Sequence, residues 1–326
     1  MAALTARVAR LGAHARTAYI CSAVFVSWFA AYGLRKPWGA GLYDGERFFG
    51  LPPKDAIALS QTIGYMLGKW LSTGCIPRLG RRQRLPLLLF MTAACFLPLV
   101  AFALVESTAG RVLAIFVNQW PLGWFHGTLY LYLEGRQGAE LLGGAISAAY
   151  ILGSGFAKSL GASLLEYGVS LGSMPLAAGA ISLPVAVLAM LLLDTAPEPS
   201  EREQAVCGSR RPMSSEEQSA FLRRYSGGLV LHTIGYIALT GLKDFRDSFQ
   251  ADIWQEVYGS AMPAAAFGIS ELVIAGVVLG VLALLSVVKS SAKATLLMEG
   301  LMLSGALLLV VAQLGSGWSV FTFISY

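Results

Sequence analysis

Five charged side chains stand inside, or at the very edge of, long apolar runs. Lys69 lies in QTIGYMLGKWLSTG, Lys158 in ILGSGFAKSLG and Glu271 in GISELVIAG. Arg35 closes one apolar run, and Arg246 sits in KDFRDSFQADIW with Asp244 and Asp247 on either side. If such runs cross a bilayer, each ion at depth costs about 2.5–3.5 kcal/mol on insertion scales, so it is expected to face a hydrated or protein-lined cavity. A guanidinium suits bidentate contact with a phosphate or carboxylate, and an ammonium adds a compact point charge. Arg35, Lys69 and Arg246 are therefore candidate ligands for an anion, with Glu271 the main carboxylate to balance them. Tyr65, one turn before Lys69, joins them as a candidate lining residue, more so than Tyr32, Trp70 or Trp124.

Each has a plainer alternative. Arg35 at the end of its run could be an interfacial anchor, and Asp244 and Asp247 could simply neutralise Arg246. Lys158 has two destinations, the cavity or the outer headgroups, and residue type does not choose between them. The segment around it is not a phosphate-binding loop: Ala157 stands where a glycine is required, and no strand precedes it. Glu271 is either a proton acceptor or a salt-bridge partner. His126 and His232 read as packing residues, with a proton role left open by the imidazole.

Other chemistries find no support. The cysteines are scattered without CxxC or Cys/His spacing, so neither a metal site nor a disulfide framework is signalled. There is no nucleophile–base constellation and no nucleotide motif, so the chain is not expected to be an enzyme or to carry a cofactor.

The elements that must position these charges follow from composition. The chain of 326 residues is 56% hydrophobic and 13% charged, whereas an average soluble domain has about 25% charged residues. The expectation is an all-α integral membrane protein. Apolar runs at 17–34, 56–76, 85–105, 111–133, 141–165, 174–193, 228–242, 262–288 and 294–314 are each close to the length a helix needs to cross the hydrocarbon core, and 316–326 could begin a tenth. The stretch 195–227 is rich in Pro, Ser, Glu and Arg and reads as a linker. It separates an N-terminal six-helix bundle (1–194) from an incomplete second bundle (228–326). Basic residues concentrate at Arg78–Arg84 and through the linker, which places the N-terminus and linker on the cytoplasmic side of an unspecified membrane. The same topology accounts for the net charge of +5, so no nucleic-acid partner is expected. The basic N-terminal tail reads as a cytoplasmic anchor, although its acid-poor composition also fits part of a transit peptide.

A weak internal repeat is present. Gly64 and Gly68 precede one basic loop, and Gly276 and Gly280 precede Lys289 and Lys293. Glycines four apart allow close helix approach, and parallel repeats build the halves of major facilitator carriers.

Several segments resemble that superfamily residue by residue, closest to the organophosphate–phosphate antiporters. Tyr32-Gly-Leu-Arg35-Lys36 resembles the arginine motif closing helix one. Gly64-Tyr65-Met-Leu-Gly68-Lys69, followed by the loop at 74–82, resembles the helix-two lysine and its glycine–arginine loop. Gly123-Trp124, Glu134-Gly135-Arg136, Gly153-Ser-Gly155, Asp194-Thr-Ala-Pro197 and Ser270-Glu271 are similar to further family positions. The resemblance implies a major facilitator fold in which Arg35 and a helix-seven arginine, here Arg246, clamp the phosphate, while Lys69 and Glu271 line the same cavity. Tyr150 stands where the family has a histidine, and Lys158 has no counterpart. The family has twelve helices, against nine or ten runs here. What it implies in function is a monomeric secondary-active carrier moving a small anionic solute by alternating access, by exchange. The alternatives are a proton-coupled carrier of a neutral solute, and a transporter-like sensor or scaffold that carries nothing.

Overall fold

The computed structural model describes residues 2–136, 139–200, 203, 213–286, 288 and 290–316. The protein is all-α: among the described residues there is no strand, only an isolated bridge between Phe48 and Leu51. A short α1 (Ala2–Ala9) leads into α2 (Ala13–Tyr32), α3 (Pro53–Ser72), α4 (Arg81–Leu104), α5 (Thr108–Tyr130), α6 (Ala139–Glu166) and α7 (Met174–Asp194). Then come α8 (Ser215–Ser248), a short α9 (Gln250–Tyr258), α10 (Ala264–Ser286) and α11 (Ser291–Ser316). Each of the nine apolar runs is helical. Three stretches, Arg81–Leu104, Met174–Asp194 and Ala264–Leu284, are long and apolar enough to cross a membrane. α3 is more polar, because it carries Lys54, Asp55, Gln61 and Lys69. The expected tenth run, 316–326, lies outside the described residues beyond Ser316.

The chain packs as two compact units, Met1–Ala275 and Gly276–Tyr326. The first buries a continuous core in which each helix offers one stripe. α4 contributes Leu88, Cys95, Leu99 and Phe102, and α5 contributes Ile115, Leu122, Phe125 and Leu129, spaced three, four and seven apart as one helical face requires. α3 and α5 approach most closely through glycine. A Cβ on Gly64 would lie 2.5 Å from Phe116 O, and one on Gly68 would lie 2.1 Å from Trp120 O. From the other side, one on Gly123 would lie 2.3 Å from Lys69 N. The glycine pair of the proposed repeat, Gly276 and Gly280, meets nothing within 4 Å among the described residues.

Two boundaries differ from the sequence expectation. α8 is 34 residues long and takes in 215–227, which composition assigns to the linker. Its start is set by a capping box in which Ser214 and Glu217 satisfy each other's backbone N–H. Residues 201–202 and 204–212 of that linker lie outside the described residues. α3 stops at Ser72, so Lys69 lies in its last turn and is exposed. Depth in the middle of a helix, read from the apolar run through Ile76, is not where this lysine stands.

The arginines after α3 and α5 close helix ends. Arg81 donates to Asp194 O at the end of α7 and to Ala196 O just beyond it, Arg84 to Leu131 O at 2.8 Å beyond α5, and Arg136 Nε to Tyr132 O at 2.7 Å. Cations on terminal carbonyls satisfy acceptors that a helix leaves open and complement its dipole. Burial, then the nearby Arg81, Arg16 and Arg84, pull the Arg136 pKa down to about 10 against the opposing effect of Glu203.

Candidate functional site

Two clusters of polar side chains form in the interior of the first unit, and they differ in charge balance. The first is built on Arg35. Its position is fixed from behind: the buried Asn118 on α5 donates to Leu34 O at 3.0 Å and to Cys95 O at 2.6 Å. The chain leaving α2 is thereby held against α4 and α5 just where Arg35 begins. Arg35 is 8% exposed. Its guanidinium lies over the Tyr65 ring, 4.3 Å from the centroid, and 5.6 Å from that of Tyr32. The Tyr65 and Tyr150 hydroxyls share a hydrogen bond of 2.9 Å between α3 and α6. Lys69 reaches the same Tyr65 ring from its own helix, with Nζ 5.4 Å from the centroid. Trp28 packs 5.0 Å from Tyr150 and 5.3 Å from His126.

Arg35, Lys69, Tyr65 and Tyr150 thus come together as a cationic, aromatic-walled group. Among the described residues neither Arg35 nor Lys69 has a carboxylate within ion-pair distance. Arg35 Nε and Trp28 Nε1 are buried without a hydrogen-bond partner. Both are N–H donors. Buried polar groups are nearly always paired, so orphaned donors need an explanation. What they lack is an acceptor.

The second cluster is built on Asp247, and sequence reasoning gave it only a neutralising part beside Arg246. One carboxylate oxygen pairs with Lys36 at 2.7 Å, and the other accepts from Lys158 at 2.8 Å and from Ser154 at 2.6 Å. Lys158 also donates to the Asp247 carbonyl at 3.0 Å and to Gln250 Oε1 at 2.7 Å. All three ammonium hydrogens therefore have acceptors, and the side chain is wholly buried. The choice left open for Lys158 falls to the interior. Ser154 and Lys158 are four apart on α6, so they share a face and reach the same oxygen. Arg246, whose side chain is 40% exposed, pairs with Glu271 at 2.8 Å, and Glu271 lies 3.9 Å from Lys158. Arg246 therefore belongs with the carboxylates of this second cluster and not with the Tyr65 ring. A further pair joins Lys54 on α3 to Asp252 on α9, and Lys54 also donates to Gly39 O at 3.4 Å.

These pairs are segregated. Among the described residues, every ion pair between 1–194 and α8–α10 takes its cation from the first segment and its carboxylate from the second. The residues that sequence reasoning missed are Lys36, Lys54 and Asp252, with Asp247 underrated. The available signal was the Ser154–Lys158 spacing, which marks one polar stripe on an otherwise apolar helix.

Close packing brings the carboxylates in. A Cβ on Gly155 would lie 2.6 Å from Glu271 Cγ and 2.8 Å from Phe267 O. Gly155→Val should therefore push α10 away from α6 and lower the detergent-solubilised melting temperature, as overpacking costs about 1–3 kcal/mol. Gly143→Ala on the same helix, where a Cβ meets nothing within 4 Å among the described residues, should leave the melt unchanged.

The fold and the clusters define an all-α protein with, among the described residues, three helices able to cross a membrane, and a cationic site built on a buried arginine. The chain belongs to a family of unknown function (DUF5690), whose model matches residues 37–323. Lys69, Lys158, Asp247 and Glu271 fall within the matched region, and Arg35 and Lys36 immediately precede it. No curated protein matches the chain in sequence.

Proposed function

We propose that the protein is a multi-pass membrane carrier of a small anion, an organophosphate or a carboxylate, working by alternating access and exchange. The finer architecture belongs to the same proposal: a major facilitator arrangement, with nine or ten spanning helices and the N-terminus on the cytoplasmic side. The observation that carries it is Arg35, a buried guanidinium without a carboxylate partner beside two tyrosines, a lysine and a second orphaned donor. An unpaired buried ion loses several kcal/mol of hydration, and an anionic solute supplies the missing acceptors.

The segregated pairs supply the coupling. Lys36, Lys54 and Lys158 hold α8, α9 and α10 against the first bundle while the anion site lies beside them. Bringing an anion to Arg35 offsets the cationic excess that opposes closure on that side. Releasing the pairs of these three lysines opens the other. A site that closes favourably only when occupied exchanges one anion for another and does not leak.

The test is counterflow in proteoliposomes preloaded with a phosphate monoester, a dicarboxylate or a neutral polyol. Uptake of labelled anion driven by internal anion, with the polyol inert, is the expected result. Polyol uptake driven by an acid-outside pH step, with no need of a counter-anion, would replace this reading with a proton-coupled one.

A further inference from the structure

We propose that the groove between the outer-loop ends of α3 and α5 binds one acyl chain of a membrane phospholipid, capped by the hairpin at Phe48–Leu51. The inference goes beyond the anion site and rests only on the membrane half of the preceding reading.

The groove has a volume of about 320 Å³, near the low end of the range for ligand pockets. Its walls are Leu59 and Ile63 on α3, and Val112, Leu113 and Phe116 on α5. Phe116 also marks its inner limit, where Gly64 brings the two helices into contact. The lining is apolar apart from Ser60, whose hydroxyl is turned back onto Ile57 O at 2.8 Å.

The hairpin over it is built at a cost. Phe48 and Leu51 exchange both backbone hydrogen bonds, at 2.9 and 3.0 Å, around Phe49 and Gly50 with φ of 50° and 80°. Both central residues in the left-handed region make this the tight turn that normally takes Asn or Asp before Gly. A bulky side chain there is strained. The result is a phenylalanine 91% exposed at the tip. An aromatic ring held out in this way, against strain, suits insertion among acyl chains.

Direction and charge point to lipid rather than to the anion site. Tyr65 follows Ile63 by two residues, about 200° round the helix, so the groove opens on the side of α3 away from Arg35. It is continuous with an exposed apolar stripe of Leu59, Ile63, Met66 and Trp70, spaced four, three and four apart. Arg47, exposed and donating to Gly50 O at 3.4 Å, stands in the hairpin where a lipid phosphate would meet it.

The experiment uses the full chain in nanodiscs doped with a phosphatidylglycerol carrying a diazirine in its acyl chain. Mass spectrometry maps the adducts, with a diazirine fatty acid as the parallel arm. Adducts concentrated on Ile63, Leu113 and Phe116 are expected. They should be lost in Ala109→Trp, which fills the groove, and reduced by Arg47→Gln for the phospholipid but not for the fatty acid. Should Ala109→Trp lower the melting temperature, Leu59→Trp from the opposite wall replaces it. Adducts spread evenly along the α3 stripe, and unchanged by a folded groove-filling variant, would overturn the proposal as ordinary surrounding lipid. Equal labelling by fatty acid and phospholipid, insensitive to Arg47, would overturn the phospholipid assignment. Neither outcome bears on anion counterflow, so the two readings fail separately.

Discussion

Asp247→Ala should be the most destabilising single substitution in the protein, lowering stability by about 3–5 kcal/mol, as expected when one partner of a buried ion pair is removed. Lys36 and Lys158 are 3% and 0% exposed; Lys36 loses its carboxylate, and Lys158 loses its nearer one and keeps only Glu271 at 3.9 Å. The cost is the desolvation of two buried ammonium groups left short of negative charge, not the net worth of the pairs. Replacing the whole group by apolar side chains should therefore recover much of it: Lys36→Met, Lys158→Met and Asp247→Leu together should melt closer to the wild type than Asp247→Ala alone. Asp247→Asn should fall between, because it keeps an acceptor for Lys158 and Ser154 but removes the charge. Thermal unfolding in detergent, followed by circular dichroism, reads all three variants against the wild type. A wild-type melt for Asp247→Ala would mean that the lysines are not held as described.

Arg35→Ala should abolish anion recognition while leaving the fold intact. The guanidinium makes no ion pair among the described residues, so its removal strands no carboxylate, and it relieves one buried, unpartnered Nε. What it takes away is the cation over Tyr65 and the fork that a phosphate or carboxylate would engage. Arg35→Lys keeps the charge but not the planar fork, and should retain weak binding. The split between a stable Arg35→Ala and an unstable Asp247→Ala separates the two clusters: one holds the protein together and the other is kept for a ligand.

Much of the helical frame was legible in the sequence, because apolar runs near 20 residues leave little else for a chain to do. The glycine spacing at 64 and 68 also read correctly as a point of close approach, against α5. Lys69 did not read correctly in depth. The apolar run continues through Ile76, but the helix ends at Ser72 ahead of Gly74 and Pro77, and only the end of a helix locates a residue within it. The pairing of Asp247 with Lys36 could not be read, since 211 residues separate them and neither spacing nor residue type says which lysine a carboxylate will find. Arg35 was singled out from its place at the end of an apolar run and from the resemblance of its motif. Its setting comes from Tyr32, Tyr65 and Tyr150 on three different helices, and local pattern carries no trace of that convergence.

A buried cation that waits for a negative ligand should be stabilised by that ligand against heat. Purified wild-type protein and Arg35→Ala are melted with a phosphate monoester, a dicarboxylate and a neutral polyol. A ligand that binds only the folded state adds about 2.7 kcal/mol at a hundred times its Kd. The expected result is a concentration-dependent rise in Tm for the wild type with at least one anion, none with the polyol, and none with any of the three for Arg35→Ala. An equal rise in wild type and Arg35→Ala, or a rise with the polyol alone, would contradict it.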